Sequence, residues 1–77
     1  MNRLNNYLND LEYKIIYKEN ALNIVNYSEI LDFTREKITI KYQDKILNIK
    51  GDNLVISKME NQELLIIGNI TKLEFLT

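Results

Sequence analysis

The sequence predicts a mainly β protein: about seven short antiparallel strands in a compact meander or small sandwich, with a short N-terminal helix. Three observations lead there. From Ala21 onward, apolar and often β-branched residues alternate with polar ones, the period of a strand with one buried face. Clusters of Gly, Asn and Asp recur between these runs, where turns need residues that tolerate left-handed backbone. No connection after Ala21 approaches the dozen or so residues that a parallel crossover needs, so neighbouring strands must run antiparallel.

The elements follow in order. Leu4, Tyr7, Leu8 and Leu11 recur at spacings of three and four and share one helical face, which predicts an amphipathic helix within residues 1–13. Asn5, Asn6 and Asn9 are mediocre helix formers, so this helix depends on docking, either on its own domain or on a partner. Tyr13-Lys14-Ile15-Ile16-Tyr17 either extends it or begins the sheet. Residues 1–18 are thus read as a helical or extended segment, and 19–77 as the β part of one single domain. Leu22 and Ile24, then Ile30 and Phe33, then Ile38, Ile40 and Tyr42 give the first strands. Gln43-Asp44-Lys45 turns a hairpin into Ile46, Leu47 and Ile49. Gly51-Asp52-Asn53, Glu60-Asn61-Gln62 and Gly68-Asn69 then separate Leu54–Ile56, Leu64–Ile67 and Ile70–Phe75, with Gly51 and Gly68 expected at structural turns.

Composition removes functions before it suggests one. The 77 residues include no His, no Cys and no Pro, and ten Lys and Arg balance eleven Asp and Glu. Without His or Cys the chain lacks the usual zinc ligands, the usual neutral-pH base and the thiolate nucleophile. A net charge of −1 gives little electrostatic grip on nucleic acid, so no nucleic-acid partner is expected. Residues 1–20 have no signal-peptide apolar core, and the longest apolar run, Leu64-Leu65-Ile66-Ile67, is far below the roughly 20 residues that span a bilayer. A cytoplasmic location is the expectation.

No constellation of catalytic residues emerges. Glu29 with Asp32 and Glu60 with Glu63 read as solvated charges, since turns give little of the burial that perturbs a carboxyl. Gly51-Asp52-Asn53 is too sparse in oxygen ligands for a calcium loop, and the two glycines form no phosphate-binding loop. Ser28 and Thr34 have no His to activate them. Tyr7, Tyr13, Tyr17, Tyr27 and Tyr42, beside Lys14, Lys18 and Lys41, read first as half-buried rings and second as a stacking or ligand surface. The expectation is a protein with no catalytic, cofactor or metal site, hence not an enzyme.

Taken together, Leu22–Phe33, Ile38-Thr39-Ile40, Leu47-Asn48-Ile49-Lys50-Gly51-Asp52-Asn53-Leu54-Val55-Ile56, Leu65-Ile66-Ile67-Gly68-Asn69-Ile70 and Leu73-Glu74-Phe75 resemble the YabP/YqfC family of sporulation proteins. The resemblance spans about residues 20–76, and Asn26-Tyr27 with Ile30–Phe33 resembles the YqfC branch more closely. It implies a small non-enzymatic protein of the mother cell of endospore-forming Gram-positive bacteria, working with a membrane-bound partner. The chain departs from YqfC-like proteins at its amino end, where a basic, Pro-containing stretch is replaced by Arg3 alone and no Pro.

Two functional expectations follow. The first is a β-rich interaction module in which a strand edge accepts a partner strand, with Ile66, Ile67, Phe75 and Leu76 as the candidate edge, or in which two copies form a homo-oligomer. The second is a small-ligand-binding or enzyme-accessory protein of cortex or coat assembly, requiring tyrosines that converge on one concavity.

Overall fold

A computed structural model describes residues 14–76. They form six strands: β1 (Lys14–Lys18), β2 (Ala21–Val25), β3 (Glu29–Phe33), β4 (Lys37–Tyr42), β5 (Lys45–Glu60) and β6 (Glu63–Leu76). Every pairing is antiparallel, in the order β1-β2-β6-β5-β4-β3. The expected β class holds, while the helix expected within residues 1–13 lies outside the described residues. Tyr13–Tyr17, left open between helix and sheet, resolves from Lys14 onward into β1, paired with β2 from Lys14↔Val25 to Lys18↔Ala21.

The described residues hold six strands where about seven were expected, because Gly51 and Gly68 do not end strands, which merges four expected runs into two, and β1 adds one. Both glycines lie inside β5 and β6, strands of 16 and 14 residues that form one long hairpin. Its two strands bend together. Thr71 is an extra residue between the Lys50↔Lys72 and Gly51↔Ile70 pairs, and Asn53 and Leu54 stand opposite Gly68 alone. Bulges of this kind bend a strand and raise its local twist. Gly68 has φ 144, outside the range of residues with a side chain, and a Cβ there would sit 2.6 Å from the Asn53 carbonyl oxygen. A Cβ on Gly51 would overlap the Asn69 carbonyl oxygen. The glycines therefore permit a bend with two backbones in close contact, where turns between strands were expected.

The bend divides one continuous sheet into two halves. Along β6, β2 pairs with Glu63–Ile67 alone, whereas along β5, β4 pairs with Lys45–Lys50 alone. The first half runs β1, β2, early β6, late β5, and the second runs late β6, early β5, β4, β3. Leu22, Ile24, Leu64 and Ile66 of the first half share one core with Ile38, Ile40, Tyr42, Leu47 and Ile49 of the second, each at most 1% exposed. No helix covers these faces among the described residues, so the halves bury them by facing each other.

Tight turns set the register. Asn61 and Gln62 both have positive φ, the two-residue turn whose twist matches a hairpin. Asn20 and Gln43 supply positive φ in the loops after β1 and β4. Each loop that ends an outer hairpin also fastens one side of the bend. The Gly68 amide donates to the Asn20 carbonyl (3.1 Å) and the Gly51 amide to the Glu36 carbonyl (3.1 Å).

The outer face of the second half is polar and paired. Thr39 Oγ1 donates to Asn48 Oδ1 (2.7 Å), and Glu74 receives Lys50 Nζ at 3.3 Å and Lys72 Nζ at 3.5 Å. The Lys50 hydrogen bond and charge, then Asn48 and Lys72, hold the Glu74 carboxyl below the ordinary carboxylate range. A lowered native pKa contributes stability above the unfolded value that is lost as pH falls through the native one. Denaturation midpoints should therefore decline on acidification, and Glu74→Gln should flatten that decline slightly while leaving the neutral-pH midpoint nearly unchanged, as for an exposed ion pair.

Candidate functional site

A large concavity among the described residues lies where the two halves part, between β3 and late β5. It is an open groove of about 800 Å³. Ile30, Ile38, Leu54 and Ile56 form its floor, continuous with the core, and its rim carries Leu31, Phe33, Val55 and Met59. These rim side chains are 45%, 64%, 57% and 57% exposed, a concentration of apolar surface at one flank.

Local structure explains why they point there. Phe33 pairs with Ile38 and Met59 with Leu64, both of which face the core. Directly opposed residues share a face, so Phe33 and Met59 are core-facing side chains on strands with no further neighbour to cover them. Leu31 is the extra residue of a bulge between Ile30↔Ile40 and Asp32↔Thr39. One end of the groove is shut by the loop after β3. Thr34 Oγ1 accepts from the amides of Glu36 (3.2 Å) and Lys37 (2.9 Å), and the Arg35 carbonyl thus held accepts from the Leu54 amide (2.9 Å). Asp32 and Arg35 add one charge of each sign to the lining. Beyond Leu54, the outer edge of β5 has no strand partner among the described residues, and neither has the outer edge of β3.

Smaller depressions lie elsewhere among the described residues. One of about 270 Å³ lies on the outer face of the first half, between Ile16, Leu65 and the Asn23–Glu63 hydrogen bond (3.0 Å). Another, of about 120 Å³, lies between Tyr17 of β1 and Ile70–Leu73 of β6.

The candidate residues from the sequence are distributed as follows. Ile66 and Ile67 are not at an edge: they sit in the half of β6 flanked by β2 on one side and β5 on the other, and Ile66 is fully buried. The apolar run that suggested an edge instead serves two neighbours. Phe75 and Leu76 lie in late β6, which pairs with β5 and has no other strand partner among the described residues. The tyrosines part company, with Tyr42 in the core at 1% exposure, Tyr27 packed against the core and Tyr17 exposed on β1. Tyr7 and Tyr13 lie outside the described residues. Glu29 and Asp32 are exposed on β3, and Glu60 and Glu63 flank the β5–β6 turn. Lys14 and Lys18 are on β1 and Lys41 on β4, in different halves. Among the described residues no three His, Cys, Asp or Glu side chains gather around a possible metal position, and no helix is long and apolar enough to cross a membrane.

The groove escaped the sequence reading because Phe33 and Met59 are 26 residues apart and meet only through the bend. No curated protein matches the chain. A family model does: it aligns over residues 11–77, from just before β1 through β6, and on that match the chain belongs to the YabP family.

Proposed function

We propose that this protein is a non-enzymatic interaction module of spore formation, acting in the mother cell with a membrane-bound partner that lays an extended apolar segment into the β3–β5 groove. YabP family membership suggests a sporulation-related role. The observation that carries the mechanism is the groove itself, in which Leu31, Phe33, Val55 and Met59 are exposed beside two unpaired strand edges. A segment seated there gains main-chain hydrogen bonds from an edge and buries alternate side chains between the sheet halves. Each apolar side chain fully buried contributes about 1.5–3 kcal/mol before the costs of association. The reading as a small-ligand or enzyme-accessory protein needs converging tyrosines, and none of the concavities described above is lined by more than one, which favours the protein-segment reading.

Deletion in the native host tests the role, and replacement tests the groove. Deletion should lower the yield of heat-resistant spores, with restoration by the intact gene. The double variant Phe33→Asp, Met59→Lys should fold, since both side chains are more than half exposed, yet fail to restore spores. Normal spores after deletion would overturn the role. Full restoration by the double variant would overturn the groove.

A further inference from the structure

Four strand edges have no strand partner among the described residues: β1, β3, late β5 and late β6. Three of them oppose self-pairing. β3 is bulged at Leu31 and late β5 at Ser57, and bulges spoil the template that an edge offers. β1 is bracketed by Lys14 and Lys18, which a two-fold copy centred on Ile16 would set against each other.

Late β6 behaves differently. From Lys72 to Leu76 it is regular against β5, and it carries Lys72 and Glu74 on either side of Leu73. A two-fold axis normal to a sheet keeps every residue on its own face, so the allowed registers of two β6 edges are those centred on a residue. Centring on Lys72 or Glu74 places like charges opposite each other. Centring on Thr71 puts the axis on the bulge, and centring on Phe75 leaves Glu74 facing Leu76. Centring on Leu73 sets Lys72 against Glu74 of the copy twice over and places Leu73 beside its own copy, while Phe75 lies across from the bulge residue Thr71. It also covers Phe75, which is 54% exposed in the single chain.

We infer that the protein forms a two-fold homodimer by antiparallel pairing of late β6 at residues 72–74, centred on Leu73, just beyond the Thr71 bulge. The contact is isologous and extends the second half-sheet of each copy into one sheet across the dimer. It lies on the flank that does not hold the β3–β5 groove, and it stands independently of the function proposed above.

Charge reversal tests it directly in sedimentation or light scattering. The wild type should reach twice the 9.2 kDa chain mass as concentration rises. Lys72→Glu alone and Glu74→Lys alone should each remain at the single-chain mass, because each copy then opposes like charges. Mixing these two variants should restore the dimer, as should the double variant Lys72→Glu, Glu74→Lys. Glu74→Lys also removes the contact with Lys50, so circular dichroism must show that it folds. A second probe needs no charge change. The chain has no Cys, so Leu73→Cys should oxidise to a covalent dimer while Phe33→Cys on β3 should not. A wild type that stays single-chain at every concentration would overturn the inference. Dimerisation unaffected by either single reversal, or a Leu73→Cys that crosslinks no better than Phe33→Cys, would do the same.

Discussion

Replacing Gly68 with Ala should remove a large share of the stability of this protein. The residue has φ 144, and its Cβ would stand 2.6 Å from the Asn53 carbonyl oxygen and 3.0 Å from the Leu54 Cα. Neither neighbour can step aside as a side chain would, because both are backbone atoms at the point where β5 crosses from one half of the sheet to the other. A strained backbone of this kind costs about 1–3 kcal/mol, and the steric overlap adds to it. A domain of this size has a total stability of about 4–12 kcal/mol at the usual value per residue. The expected loss is about 3 kcal/mol, a fall of roughly 12–24 °C in melting temperature at 4–8 °C per kcal/mol. Gly51→Ala should do comparable damage for a different reason, overlap with the Asn69 carbonyl at an ordinary φ. Chemical denaturation checks both. A Gly68→Ala midpoint within experimental error of wild type would show that the bend tolerates a side chain and that its geometry is not what holds the halves together.

Leu47→Ala is expected to cost nearly as much. Leu47 is fully buried, pairs with Ile40 on β4 and Phe75 on β6, and belongs to the cluster shared by both halves. Truncation of a buried Leu costs about 2–5 kcal/mol, with the higher values where the surroundings cannot collapse into the space. Here the walls are strands fixed by hydrogen bonds on both sides, so about 3 kcal/mol is expected. Phe33→Ala is the control. It removes a larger side chain, but one that is 64% exposed at the groove rim, and its midpoint should move by less than about 1 kcal/mol. If Phe33→Ala proved as damaging as Leu47→Ala, the groove would be part of the folding core and its exposed residues could not be varied separately from stability.

Much of the core was readable from alternation alone. Leu22 with Ile24, Ile38 with Ile40 and Tyr42, and Leu47 with Ile49 are spaced by two, and all are buried. The same logic misread the second half of the chain. Gly51-Asp52-Asn53 and Gly68-Asn69 have turn composition, but their glycines lie close to each other across one hairpin, so both strands bend and continue. Local composition carries no information about that cross-strand match. Ile66 and Ile67 are expected at an edge from their apolar run, yet Ile66 is buried in the core and Ile67 lies on the outer face of a central strand. The groove was hidden for the same reason, since its two walls become neighbours only once the bend is made.

The carbonyls of Asn20 and Glu36 that hold the Gly68 and Gly51 amides have a consequence for the order in which the chain can mature. Each outer hairpin is made first on the ribosome, yet its apolar face and its loop both find their targets in residues 45–76. The β1–β2 hairpin waits for β6, which follows the other five strands of the described residues, and until then no strand joins Leu22 and Ile24 to the rest of the sheet. Two-stranded hairpins are marginal in water on their own. This fold is therefore completed only once β6 has been made, and a nascent chain stalled before residue 63 leaves the apolar faces of the earlier strands uncovered.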